Sequence, residues 1–185
     1  MQNGESHLIR LFEGCRRGDR NSQRKLYECF YGYAMSICLR YSTSKEEASE
    51  ILNDAFLKVL TNINKFDPAQ PFKPWLRRLL INTAIDYSRK KHRFSMTLEL
   101  PETIELPAED LPVLSPDEDL LPILRQLSPA YRIVFNLYVL EEYSHREIAA
   151  LLDITESASR SNLTRAVEKL RAILTPTAHK LLKTH

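Results

Sequence analysis

The side chains best suited to chemistry lie toward the C-terminal end, and the chemistry they suit is hydrogen bonding to a polyanion. Ser144-His145-Arg146-Glu147 has the spacing of a capping box, in which serine and glutamate each cover an otherwise unpaired N–H; it opens a helix carrying Ile148, Ala149, Leu151 and Leu152. Asp153-Ile154 stops that helix, and Thr155 caps a longer one running from Glu156 to about Leu174. Two helices across a three-residue turn, with small Ala149 at the crossing and apolar Ile154 plugging the angle, have the shape of a helix-turn-helix. The second helix turns Ala158, Leu163, Ala166, Val167, Leu170 and Leu174 inward and leaves Ser157, Arg160, Ser161, Thr164, Arg165 and Lys169 outward. An arginine can pair bidentately with guanine for about 1–3 kcal/mol of discrimination, whereas a lysine on phosphate adds salt-sensitive affinity. Arg160 and Arg165 are therefore the specificity candidates, although a solvated basic face on an ordinary helical hairpin would carry the same residues. Bond-making chemistry finds no comparable set. There is no phosphate-cradling glycine loop, no metal-ligand spacing and no nucleophile with an evident base, so neither an enzyme nor a cofactor is expected.

Helices must position these groups, and the pattern upstream is helical too. Leu8, Leu11, Phe12 and Cys15 predict a helix from about Ser6 to Arg17, broken at Gly18-Asp19. A longer one from about Ser22 to Tyr41 is predicted by Leu26, Cys29, Phe30, Tyr33, Ala34, Ile37 and Cys38, which keep the helical period of a core helix. Ser44 with Glu47 makes another capping box, opening a helix to about Asn64 whose buried stripe includes Ala48, Ile51, Leu52, Ala55 and Phe56. Pro68 and Pro71 then force a short, stiff loop. From Phe72 to about Lys91 a fourth helix turns Trp75, Leu76, Leu79, Leu80, Thr83, Ala84 and Tyr87 inward, with Arg89, Lys90 and Lys91 at a basic end. Ser115-Pro116 and Ser128-Pro129 are helix-start signals, implying short helices near 117–126 and 129–140.

Charge is segregated along the 185 residues, so the total of +2 is a poor guide. Residues 1–93 carry 17 Lys/Arg against 10 Asp/Glu, residues 94–119 carry none against 8, and residues 120–185 carry 9 against 6. Two basic blocks thus flank an acidic strip with four prolines, which reads as a linker. Cys15, Cys29 and Cys38 form neither a paired framework nor a zinc pattern and are expected as buried reduced thiols. No signal pattern opens the chain and no apolar run reaches the ~18 residues of a membrane span, so a cytoplasmic protein without membrane insertion is expected.

Two blocks, in order, resemble the extracytoplasmic-function (ECF, group IV) sigma factors of RNA polymerase over about Leu8 to Leu174. The first is Glu47-Ala48-Ser49-Glu50-Ile51-Leu52-Asn53-Asp54-Ala55-Phe56-Leu57-Lys58-Val59, with Phe66-Asp67-Pro68 and Trp75-Leu76-Arg77 through Ile85-Asp86-Tyr87. It is similar to the family's region two. The second, Leu127-Ser128-Pro129-Ala130-Tyr131-Arg132 through Leu170-Arg171, is similar to region four. The resemblance implies an all-α protein of two small helical domains, region two over 5–93 and region four over 117–178, joined by a flexible acidic linker over 94–116. It implies a factor that binds core polymerase, at the clamp coiled coil and the flap, and directs promoter-specific initiation. By the same resemblance Glu50, Asn53, Asp54 and Lys58 would dock on core. Phe66, Asp67, Ala69, Gln70, Phe72 and Asn82 would hold a flipped base of the melted minus-ten strand. Ser157, Arg160, Ser161, Thr164, Arg165 and Lys169 would read the minus-thirty-five duplex. The resemblance also implies an anti-sigma protein as a partner, and an acidic linker that either threads the polymerase channels or is a plain tether. Trp75, on the inward stripe, is expected in the core rather than on DNA. Three positions depart from the family: Asp153 and Ser157 stand where glycine is usual, and Ser159 replaces a small apolar residue and would cap locally or face DNA. The rival reading is a stand-alone helix-turn-helix regulator, which would be a dimer on a palindromic site.

Overall fold

In the computed structural model of the chain, the described residues are 2–91 and 120–181, and side chains are described over 7–91 and 120–174. Helix α1 spans Gln2–Arg16 and α2 spans Arg20–Tyr41. Between them Gly18 takes φ +76, which a residue without Cβ adopts freely, and Asp19 caps α2 by accepting from the N–H groups of Asn21 and Ser22. The helix thus starts at Arg20, two residues before the position that apolar spacing alone predicts. The two helices approach so closely that a Cβ on Gly14 would lie 2.1 Å from Ser22 Oγ.

Helix α3 (Lys45–Asn62) ends in a 3-10 turn, Ile63–Lys65. Ser44 caps it by accepting from Glu47 N–H, but the box is not reciprocal. The Glu47 carboxylate accepts instead from the Thr43 N–H at 2.5 Å and from the Thr43 hydroxyl, so the expected Ser44–Glu47 pairing is corrected by one residue. Helix α4 spans Phe72–Lys91, the predicted range. Its buried face is broader than the predicted stripe, because Ile81, Ile85 and Ser88 are buried with Leu76, Leu80 and Ala84. At the start of α4, Phe72 meets Phe12 of α1 at 4.9 Å, Phe30 of α2 at 4.7 Å and Phe66 at 5.3 Å between ring centroids. This aromatic knot joins three helices, each ring pair adding about 0.5–1.5 kcal/mol beyond its area. Trp75 lies at its edge, 5.0 Å from Phe66, and is half-buried.

The second set begins with α5 (Leu120–Leu124) and α6 (Pro129–Phe135). Proline sits in the first turn of α6 as predicted, but the Ser128 hydroxyl makes no capping bond. The predicted helix to 140 is not uniform: α6 gives way to a π-helical turn, Asn136–Leu140. Helix α7 spans His145–Leu152 with the Ser144–Glu147 box complete in both directions, and those hydrogen bonds hold the Glu147 carboxyl below its usual range. Asp153 closes α7 at φ 57, ψ 48, the left-handed conformation. Helix α8 runs Glu156–Leu181, and Thr155 caps it by accepting from Ala158 N–H at 3.0 Å. It packs against α5, α6 and α7.

The chain divides into two compact units, Met1–Tyr87 and Ser88–His185. No strand occurs among the described residues, in keeping with the all-α expectation. The predicted acidic linker, including the Ser115-Pro116 signal, lies outside them. Cys15 and Cys38 are buried, with burial pushing the Cys38 thiol up to about 12, but Cys29 is exposed, contrary to expectation. No described helix is long and apolar enough to cross a membrane.

Candidate functional site

Helix α3 sends its apolar stripe into the first unit and leaves Glu50, Asn53 and Asp54 exposed, with Lys58 half-exposed one turn further on. Three of these four are braced by neighbouring helices. Glu50 accepts from Tyr87 Oη at 2.6 Å, Asn53 Oδ1 accepts from Tyr27 Oη at 3.3 Å, and Lys58 pairs with Asp86 at 3.0 Å. Burial raises the Tyr27 phenol above its ordinary value, which keeps it a donor. Each exposed pair contributes only ~0–1 kcal/mol to stability, so the bracing serves rotamer control more than folding. In the middle of this face Leu57 stands 66% exposed, a large apolar side chain ringed by polar ones. Counting stripes misses Leu57, Tyr27, Asp86 and Tyr87; the one signal available is a leucine off the apolar period at position 57.

The loop 66–71 is built as a rigid turn. Asp67 Oδ1 accepts from Ala69 N–H and Asp67 O from Gln70 N–H, each at 3.0 Å, with Pro68 pre-set between them. Asp67, Ala69 and Gln70 are exposed, as strand capture would need. Phe66 and Phe72 are not: they are 3% and 6% exposed inside the aromatic knot, so they anchor the loop and present no ring to a base. Asn82 is exposed on α4, but ten residues beyond Phe72, about 15 Å along the helix axis. A further anchor is Arg16, whose guanidinium donates to Phe66 O at 2.6 Å and to Ile63 O at 3.4 Å. No local spacing connects Arg16 to a loop fifty residues away, so sequence reading passes over it.

On α8 the buried face is rotated from the predicted stripe. Ser159, Asn162 and Thr164 are buried, whereas Ala158 and Leu174 are only half-buried. Thr164, expected outward, is 7% exposed and donates its hydroxyl to Arg160 O at 3.1 Å. Ser159, expected as a local cap or a DNA-facing group, is fully buried and shares a 2.9 Å hydrogen bond with His145 Nδ1. Arg165 and Lys169 are exposed, while Ser157, Arg160 and Ser161 are half-exposed. Arg160 pairs with Glu156 at 2.9 Å, Arg165 with Glu168 at 3.8 Å, and Lys169 Nζ lies 5.4 Å from the Tyr131 ring centroid. These surface pairs are weak enough to exchange for phosphate or base contacts.

Residues 26–94 match the family described as Sigma-70 region 2, and residues 117–170 match Sigma-70, region 4. The chain is 32% identical over 133 residues to the RNA polymerase sigma factor CarQ of Myxococcus xanthus, covering 69% of this chain and 74% of that one. The chain belongs to the RNA polymerase sigma factors. It is an ECF sigma factor, similar to the ECF RNA polymerase sigma factor SigM of Bacillus subtilis, with 26% identity covering 80% of this chain and 93% of that one. A solved structure of the sigma factor RpoE in complex with the anti-sigma factor NepR from Bartonella quintana shares the fold. It matches at a TM-score of 0.50 and 19% identity over 82% of this chain and 96% of that one. A sigma factor binds core polymerase and directs promoter-specific initiation, and sigma factors are initiation factors without enzymatic chemistry of their own.

Proposed function

We propose that this sigma factor divides its work between the two family regions, region two over 5–93 and region four over 117–178, with 94–116 joining them. Glu50, Asn53, Asp54 and Lys58 dock on the clamp coiled coil of core, and Leu57 supplies an apolar centre to that face. Asp67, Ala69, Gln70 and Asn82 meet the melted minus-ten strand, with Phe66 and Phe72 as the loop's foundation. Ser157, Arg160, Ser161, Arg165 and Lys169 contact the minus-thirty-five duplex, and Thr164 supports the helix from its buried side. The observation that carries this reading is the α3 face, where Glu50, Asn53 and Lys58 are bonded to α2 and α4 yet left open to solvent around an exposed leucine.

The work takes place in the cytoplasm, where polymerase and chromosome are, and an anti-sigma protein covers one or more of these faces when the factor is idle; RpoE, of similar fold, is known in complex with the anti-sigma factor NepR. The deciding experiment mixes the purified chain with core and promoter DNA from upstream of its own gene, with permanganate reporting unpaired bases. Melting that needs both chain and core supports the reading. Binding of a palindrome by a dimer, without core, would replace it with the stand-alone regulator.

A further inference from the structure

Three helical segments meet at His145. Its ring is half-buried at the first position of α7 and stacks on Tyr138 of the π-helical turn at 4.6 Å between centroids and 21° between planes. Its Nδ1 shares a 2.9 Å hydrogen bond with the hydroxyl of Ser159, which is fully buried on α8. In the tautomer protonated at Nε2, Ser159 donates and the imidazole accepts. A hydrogen bond this directional, between a stacked ring and a buried hydroxyl, fixes the rotation of α8 about its axis more tightly than apolar packing, which tolerates sliding. Ser159 directly precedes Arg160, so whatever fixes one re-aims the other.

We propose that His145, acting through Ser159 and backed by Tyr138, is a positioning residue that sets the rotation of α8 and thereby the base selectivity of Arg160. The inference rests on the reading of α8 as the duplex-reading helix. The leverage is large for a small motion. At an outer helix radius of about 6 Å, a rotation of ~10° carries a side-chain tip about 1 Å, enough to break a bidentate contact. The pin is distinct from the proposed recognition contacts, since Ser159 is fully buried. It also differs from the Ser144–Glu147 box, whose hydrogen bonds fix where α7 starts, whereas the His145–Ser159 bond joins α7 to α8.

The test uses the full chain with core polymerase and a duplex library randomised upstream of the melting site, bound sequences being counted by sequencing. His145→Ala and Ser159→Ala should each flatten the upstream base preference about 2- to 10-fold, the range of one lost hydrogen bond, while total DNA retained changes less. The double variant should be no flatter than either single one, because both remove the same bond. His145→Asn, whose amide reaches the Nδ1 position, should restore the preference; thermal unfolding of each variant separates selectivity from stability. Unchanged preference in the single variants, additive losses in the double, or losses that track melting temperature with no rescue by asparagine would overturn the pin. If the wild-type chain with core enriches no upstream pattern, the duplex-reading assignment of α8 fails first and takes the pin with it.

Discussion

Two residues flanking α7 hold their backbones in the left-handed region without being glycine: Glu142 at φ 59 and Asp153 at φ 57. Left-handed geometry costs an L-residue about 1–2 kcal/mol, less for Asp, whose short side chain tolerates it. Glycine relieves that strain but gives part of it back as unfolded-state entropy. Glu142→Gly should therefore stabilise the chain by about 1 kcal/mol and Asp153→Gly by about half as much, read as a rise of several degrees in thermal midpoint for Glu142→Gly. A fall in midpoint for Glu142→Gly would mean that its side chain does more than the strain costs. The strain at Asp153 is legible in the sequence, since an aspartate stands at the stop of α7. At Glu142 it is not, because nothing about a glutamate before Tyr143-Ser144 signals a positive φ. His145 gives a second residue-scale expectation. Burial, with Arg160 nearby, lowers its pKa from the ordinary 6.5, and Glu156 opposes this more weakly. A depressed folded value means that the fold favours neutral histidine. That contribution is complete above about pH 6.5 and is lost as the pH falls through the unfolded and then the folded value. Unfolding measured from about pH 7.5 down to 5.5 should show wild-type losing more stability than His145→Asn. Parallel curves would remove His145 from the acid response.

At the scale of elements, Arg16 ties α1 to the loop after α3, and its consequence is local rigidity in the loop proposed to meet the melted strand. Hydrogen bonds from a charged donor are worth about 1.5–3 kcal/mol, and here they fix both ends of the segment 63–66. Arg16→Ala should lower promoter melting about 10-fold or more while leaving core binding within twofold, and Arg16→Lys should recover little, because one ammonium cannot reach two carbonyls with the planar fork. Equal losses in core binding and melting would show general unfolding of the first unit instead. Legibility at this scale follows a simple physical division. Periodicity reports elements held by apolar burial, so α2, α3, α4 and the α7–α8 pair are readable, and local caps such as Ser144–Glu147 are readable as well. What depends on a distant partner is not. Glu47 turns to Thr43 rather than Ser44, Phe66 and Phe72 vanish into a knot with Phe12 and Phe30, and the π-helical turn at Asn136–Leu140 interrupts a pattern that looks uniform. On α8 the reading by polarity turned Thr164 outward, yet a short hydroxyl satisfied by the backbone behind it, or by a histidine, is buried at little cost.

For the whole molecule, charge and connectivity decide how the two contacts combine. Residues 120–185 carry only a small basic excess, 9 Lys/Arg against 6 Asp/Glu, and Arg160 and Arg165 of α8 are already partnered by Glu156 and Glu168. On the proposed reading of α8, a duplex contact this modest becomes effective when core carries both family regions to one promoter, because the second contact then forms at an effective concentration of millimolar order. The two faces must then fail differently. On the proposed docking of α3, Asp54→Lys should weaken assembly with core by roughly 10-fold or more. A weakened assembly step obeys mass action, so promoter-dependent initiation lost in Asp54→Lys should return as core concentration is raised. Arg160→Ala should act after assembly. Its loss, about 5- to 150-fold from the 1–3 kcal/mol of a bidentate base contact, should persist at any core concentration and be confined to promoters carrying the preferred upstream bases. Titrating core into initiation assays of the two variants separates the steps. If excess core rescued Arg160→Ala, or failed to rescue an Asp54→Lys chain that still folds, the division of labour between α3 and α8 would be wrong, because each substitution would then act at the other's step.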